Sequence, residues 1–351
     1  MFESRNTKTN LSELGEFGLI ERLTRDVKIQ NDTTELGVGD DCAVINPGGK
    51  RVLITTDLLI EDVHFDLTYS PLKHLGYKAI AVNLSDIAAM MGLPQQVTVS
   101  VALSSRFTVE AIEEVYSGMK LCCRKYGVDL VGGDTTTSTT GLLISVTAVG
   151  LAGENCYIRR STAQKGDLVC LTGNVGAAYM GLLLLQREKL AWKANPNLQP
   201  DLEGHDYILE RFLKPEPRLD IVQLLQKNAL QPTSMIDVSD GVASEILHIC
   251  RSSAVGCALY EEKIPIDPAT ALMAGVFNIN PVTAAMNGGE DYELLFTIPQ
   301  DAYPVLAQLK QISIIGHITD KNSGVNLITH DNVSVPVEAQ GWDALRKREQ
   351  G

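Results

Sequence analysis

Residues 72–104 read LKHLGYKAIAVNLSDIAAMMGLPQQVTVSVALS, and this stretch decides the fold class. Residues 72–90 carry a helical pattern, with Pro71 at the boundary where a helix begins. From residue 96 the period changes. Val97, Val99, Val101 and Leu103 alternate with Thr98, Ser100 and Ala102, the two-residue repeat of a half-buried strand. A helix running straight into a strand indicates that α and β are mixed within one unit.

Outward from this stretch the mixture continues. Residues 12–27 place Leu14, Phe17, Leu19, Ile20 and Leu23 at helical spacing. Strand-like runs occupy 42–46 and 51–57, a helix is expected at 109–126, and strands at 128–131 and 142–151. A polar break with a Gly166-Asp167 turn covers 153–167. We place a domain boundary there, giving domains 1–153 and 154–351. The second half repeats the pattern: strand 168–172, helices near 175–187 and 217–228, strand 234–237, helix 241–251, strands 256–260 and 292–298. Segment 189–206 is the most loop-like internal stretch and reads as an insertion, with a lid as the alternative. The expected class is α/β (α+β) in two domains.

Composition narrows the function. The chain has 351 residues, 44% of them hydrophobic, enough for one large core or two ordinary ones. Acidic residues outnumber basic ones 43 to 30, a net charge of −13. Nucleic acids and anionic membranes need a basic footprint, so neither is an expected partner. The seven cysteines are odd in number and form no C-x-x-C pair, which fits reduced thiols in a cytoplasm. The expected location is cytoplasmic.

Aspartates recur beside Gly, Ser and Thr after apolar runs: Asp40 and Asp41 in GVGDDCAV, Asp57 in ITTDLL, Asp86 in VNLSDIAAM, Asp134 in VGGDTTT, Asp237 and Asp240 in IDVSDG, Glu290 and Asp291 in NGGEDYELLF. Any one of these motifs alone is ordinary turn or N-cap chemistry. Their number is the signal. Carboxylates sharing a cleft repel unless a cation intervenes, and oxygen ligands without His or Cys select a hard divalent ion such as Mg²⁺. AVNLSD at 81–86 and MIDVSD at 235–240 echo each other, so each half is expected to present a Ser-Asp turn to a common site.

No G-x-x-x-x-G-K-[ST] loop and no H-R-D or D-F-G set occurs, which excludes P-loop enzymes and protein kinases. Gly132-Gly133-Asp134-Thr135-Thr136 is instead the candidate phosphate cradle. Arg159 and Arg160 read either as a solvated pair or as a phosphate contact. No histidine other than His64 sits next to an acidic motif, so a dedicated base is lacking. An attacking phosphate oxygen needs none, because its second pKa is about 6.

Taken in order, GVGDDCAV, TTDLLIEDVHF, AVNLSDIAAM, VGGDTT, IDVSDG and NGGEDYELLF resemble the thiamine-monophosphate kinase family, within the aminoimidazole ribonucleotide synthetase superfamily. Matching blocks run from Gly15-Glu16-Phe17 to Gly341-Trp342-Asp343. The resemblance implies two α/β domains, a homodimer whose N-terminal sheets pair, and in-line transfer of phosphate from ATP to thiamine monophosphate. It implies Mg²⁺ ligands at Asp41, Thr55, Thr56, Asp57, Asp86, Asp134, Asp237 and Asp240. It implies ATP contacts at Gly133, Asp134, Arg160 and Ser239, and acceptor contacts at His64, Glu290 and Trp342. Trp342 suits stacking on a cationic ring or plugging the last strand. One departure is Met91, where the family usually has Gly. The alternatives are a sibling enzyme of the superfamily and a metal-binding module without turnover. A module of that kind would take metal without nucleotide.

Overall fold

The computed structural model describes residues 31–153 and 156–340. The helix expected at 12–27 lies outside these residues, as does Trp342.

Among the described residues the first half contributes β1 (Thr34–Leu36), β2 (Ala43–Ile45), β3 (Arg51–Ile60), α1 (Leu72–Ala89), β4 (Leu93–Leu103), α2 (Val109–Tyr126), β5 (Asp129–Thr137) and β6 (Leu142–Ala152). The six strands form one sheet in the order β1-β2-β3-β6-β4-β5. Only the β4–β5 pair is parallel. The second half begins with β7 (Leu168–Thr172), α3 (Ala177–Ala194), α4 (Asp206–Leu213), α5 (Leu219–Lys227), β8 (Ser234–Asp237) and α6 (Val242–Ser253). It continues with β9 (Gly256–Tyr260), α7 (Pro268–Val276), α8 (Pro281–Asn287), β10 (Leu294–Ile298), β11 (Ile312–Thr319), β12 (Val325–Ile328) and β13 (Ser334–Pro336). Its seven strands run β13-β12-β9-β11-β7-β10-β8.

Helix α1 joins the halves. From Leu75 to Ala89 every residue but Asp86 is buried, because α1 packs on β3, β4 and β6 of its own sheet and on β8 of the other. A helix apolar on all sides is a core helix. Burying Ile80, Leu84 and Ile87 contributes about 1.5–3 kcal/mol each. Its partner α2 is amphipathic, capped by the Thr108 hydroxyl accepting from Ala111 N–H and ended by left-handed Gly127. Where α1 ends, Met91 occupies the left-handed region at φ 58° while staying buried. Its side chain anchors a turn that glycine would form without strain.

Strand β3 alternates between two environments. Leu53, Thr55 and Leu59 are buried toward α1, while Thr56 and Leu58 lie on the opposite, uncovered face. Two expectations change here. The strand expected to end at residue 131 runs on to 137, so the candidate phosphate cradle Gly132-Gly133-Asp134-Thr135-Thr136 lies within β5, paired in parallel with β4. Residues 189–194 belong to α3, so the loop begins only at Asn195. It lines a cleft of about 810 Å³ shared with residues 61–69.

Candidate active site

Three carboxylates meet where the two halves touch. Asp41 sits in the loop between β1 and β2, Asp86 near the end of α1, and Asp237 at the end of β8. One oxygen from each lies within 4.8 Å of the others. Local chemistry fixes them. The Thr55 hydroxyl donates to Asp86 Oδ2 at 2.5 Å, and the Ser85 hydroxyl donates to Asp237 Oδ2 at 2.5 Å. The second bond crosses from α1 to β8. Arg160 Nη2 donates to Asp41 Oδ1 at 2.8 Å, and the Arg160 backbone N–H donates to Asp40 Oδ2 at 3.2 Å.

The electrostatics are those of an under-neutralised cluster. Burial pushes Asp41 and Asp86 well above the ordinary carboxylate range, and neighbouring carboxylates push further. Burial also raises Asp237, against the Ser85 hydrogen bond and Arg160, which lower it. Asp57, on the same face of β3 as Thr55, is pushed up to about 6 by burial first and then by Asp237 and Glu290. Burial opposes the charge on Arg160, yet Asp41 and Asp40 outweigh it and raise its pKa. Asp41 Oδ2 is buried with no hydrogen-bond partner. Crowded oxygens, one of them unpartnered and no sulfur or imidazole among them, fit a hard divalent cation.

Two loops close the site. Left-handed Gly241 follows Ser239 and Asp240, and a Cβ on Gly241 would stand 2.7 Å from the Met286 carbonyl oxygen. A Cβ on Gly289 would stand 2.3 Å from the Ser239 carbonyl oxygen, and Glu290 N–H donates to that same oxygen at 2.7 Å. The glycines of IDVSDG and NGGED are therefore demanded by loop-on-loop packing. Glu290 itself is held at φ 72°. It ion-pairs with Lys78 of α1. The carboxylates after it serve the scaffold. Asp291 accepts from Gly176 N–H at 2.5 Å and Ala178 N–H at 3.2 Å, capping α3. Glu293 pairs with Arg211 and Arg218.

The expected residues divide accordingly. Asp41, Thr55, Asp57, Asp86 and Asp237 converge, with Ser239, Asp240 and Arg160 around them. The Ser-Asp echo converges too, but Ser85-Asp86 lies inside α1 and not in a turn. Thr56 points its hydroxyl to the other face, where it donates to the Val146 carbonyl oxygen at 3.0 Å. Gly133 aligns with Asp57 through Val99 and Val146, three strand spacings or about 14 Å away. Its lack of a side chain has a packing cause: a Cβ would stand 1.8 Å from the Val99 carbonyl oxygen. Asp134 aligns with Ser100 on the uncovered face and is exposed. Neither Thr56 Oγ1 nor Asp134 joins the three-carboxylate group. His64 follows β3, and its Nδ1 accepts from Ile60 N–H at 3.1 Å, so a neutral ring carries its proton on Nε2.

Two site residues went unread in the sequence. Asn83 is fully buried and accepts from Asp57 N–H at 3.1 Å. Glu245, on the first turn of α6, is buried, accepts from Asp240 N–H at 3.0 Å and is raised well above its ordinary pKa by burial and then Asp240. The Glu245 signal was present: an acid one turn beyond S-D-G at a helix start.

Comparison with known proteins places this geometry. Residues 39–152 match the family model of the AIR synthase related protein, N-terminal domain. The thiamine-monophosphate kinase of Bacillus subtilis is 34% identical over 339 residues, 95% of this chain and 100% of that protein. The thiamine-monophosphate kinase of Synechococcus elongatus is 35% identical, covering 89% of this chain and 91% of that one. The structure of AaThiL complexed with AMPPCP and TMP superposes with a TM-score of 0.80 at 31% identity, over 97% of this chain and 99% of that one. The likeness spans both halves and hence both sides of the carboxylate cluster, and on it the chain belongs to the thiamine-monophosphate kinase family.

Proposed function

We propose that this protein is a thiamine-monophosphate kinase, transferring the γ-phosphoryl group of ATP to thiamine monophosphate to give thiamine diphosphate and ADP. The observation that carries the reading is the group of Asp41, Asp86 and Asp237, assembled from both halves of a chain that matches the family along its length.

The three carboxylates with Asp57 and Asp240 would hold Mg²⁺, and Thr55, Ser85 and Asn83 orient the ligands. A divalent cation held by these residues would supply positive charge beside the transferring phosphate. Arg160, which pairs with Asp40 and Asp41, would contact the ATP phosphates from beside the cluster. Ser239 contacts the nucleotide. No general base is required, because the second ionisation of the acceptor phosphate lies near about 6. Catalysis rests on alignment and charge neutralisation.

His64, Glu290 and Trp342 receive the acceptor. Support for Trp342 comes from Gln340, whose N–H donates at 2.9 Å to Asn287 Oδ1, at the head of the Glu290 loop. Gly133 and Asp134 of edge strand β5 would contact ATP, Asp134 from the uncovered face of the sheet. That face exposes Thr56 and Leu58, and Val131 is exposed on edge strand β5. A second copy covering it would make the homodimer, with residues 1–153 as the nucleotide-binding and dimerising domain and 154–351 completing the site. The odd count of cysteines supports a cytoplasmic setting.

The test is product analysis with Mg-ATP and thiamine monophosphate. Thiamine diphosphate and ADP appearing in equal amounts is the expected result. ADP without thiamine diphosphate would move the reading to another acceptor.

A further inference from the structure

Lys78 is a buried amine in the middle of α1, only 6% exposed. A lysine this deep persists only if its charge is matched. Two acceptors and an aromatic ring surround its ammonium group. Nζ donates to the Phe212 carbonyl oxygen at 3.0 Å, at the end of α4. It stands 4.1 Å from the centroid of the Phe212 ring, over the face where a cation is attracted. Its remaining contact is the ion pair with Glu290 Oε2. At 6% exposure the residue presents almost no surface to a ligand.

Glu290 is the less settled partner. Its side chain is 31% exposed, and its backbone is left-handed at φ 72°, a conformation that a residue with a Cβ adopts only when the surroundings impose it. Asp57 lies close enough that the Glu290 carboxylate raises its pKa. Repulsion within the acidic cluster would drive the Glu290 carboxylate outward. Lys78 opposes that drive by holding the buried Oε2, while the side chain as a whole keeps 31% of its surface exposed.

We propose that Lys78 is a positioning residue for the acceptor, acting through Glu290 and never touching substrate. It fixes the Glu290 carboxylate so that the free oxygen accepts a hydrogen bond from the nitrogen-rich cationic part of the acceptor. Lys78 thereby sets affinity for the organic end of the acceptor and leaves phosphoryl transfer untouched. The inference rests on the acceptor reading given above for Glu290.

The experiment compares Lys78→Met, Lys78→Arg, Glu290→Gln and the Lys78→Met/Glu290→Gln double variant in steady-state kinetics and in calorimetric titration with thiamine monophosphate. Expected for Lys78→Met is a KM for thiamine monophosphate raised roughly tenfold or more, the size of a lost charge-assisted hydrogen bond. The kcat and the KM for ATP should stay within about threefold. Lys78→Arg restores much of the affinity. The double variant should be no worse than the poorer single, because both break one unit. A double variant whose losses multiply would mean that Lys78 meets substrate directly and would overturn the proposal. So would a fall in kcat at constant KM, or reduced thermal stability with all kinetic constants unchanged. Should Lys78→Met not fold, Glu290→Gln must show the same KM-only defect, and an unchanged KM there sinks the idea. Failure of the parent reading is seen separately, as no thiamine diphosphate formed by the unsubstituted protein.

Discussion

Asp237 shows how one residue carries opposed demands. It ends β8, takes a hydrogen bond from Ser85 across the seam, and crowds Asp41 and Asp86. Ionised, it destabilises the metal-free fold, since its pKa is raised by burial. We therefore expect Asp237→Asn to lower kcat by about 10²–10³-fold, as removal of one electrostatic stabiliser does elsewhere. In chelator the same variant should melt no lower than the parent, and higher if the repulsion dominates. Normal turnover in Asp237→Asn would remove this carboxylate from the metal site. The acids themselves were legible, since Asp beside Ser and Gly after apolar runs is a visible pattern. The face each presents was not. Asp57 and Asp134 look equivalent in sequence, yet strand alternation turns one toward α1 and the other outward. Buried polar partners were hidden for a different reason: Lys78 finds its acceptor at Phe212, 134 residues away.

Among the elements, α1 and α2 illustrate what patterning reveals. Both were readable to within a residue, one from its helical pattern behind Pro71 and the other from an amphipathic stripe. Their crossing was not readable. Gly76 and Gly118 let the backbones touch: a Cβ on Gly76 would sit 1.8 Å from the Val115 carbonyl oxygen, and one on Gly118 would sit 1.8 Å from the Lys73 carbonyl oxygen. Glycine inside a helix is otherwise unfavourable by about 1 kcal/mol relative to alanine. Gly76→Ala should thus run against propensity and destabilise by about 1–3 kcal/mol or more, through forced separation of the helices. A melting temperature unchanged or raised would contradict the close crossing. The opposite sign is expected at Ala254, which ends α6 in the left-handed region at φ 55°. Ala254→Gly should stabilise by about 0.5–1 kcal/mol, the left-handed strain less the gain in unfolded entropy. Strand β5 escaped full recognition because Gly-Gly-Asp-Thr-Thr-Thr has turn composition, and only pairing with β4 makes it extend.

For the whole molecule, the seam between the halves doubles as the site, so ligand binding and folding are linked. The sign of that linkage follows from the acids. Asp57 titrates near about 6 in the fold against 3.8 ordinarily, so between roughly pH 4 and pH 6 the folded chain holds protons that the unfolded chain has released. Stability in chelator must fall as pH rises through that window, and the Asp57 share of the loss is complete above about 6. Asp41, Asp86, Asp237 and Glu245 are shifted in the same direction and deepen the effect. A divalent cation bound by the ionised carboxylates reverses it, because binding to the folded state alone stabilises. Thermal unfolding with chelator should therefore give a lower midpoint at about pH 7.5 than at about pH 5. Added Mg²⁺ should raise the midpoint strongly at the higher pH and little at the lower, where protons hold the sites. An equal Mg²⁺ shift at both pH values would mean that the cation binds elsewhere. A shift present in the parent and lost in Asp237→Asn would tie the stabilisation to carboxylates contributed by both halves, making the metal the clasp that closes one half of the molecule on the other.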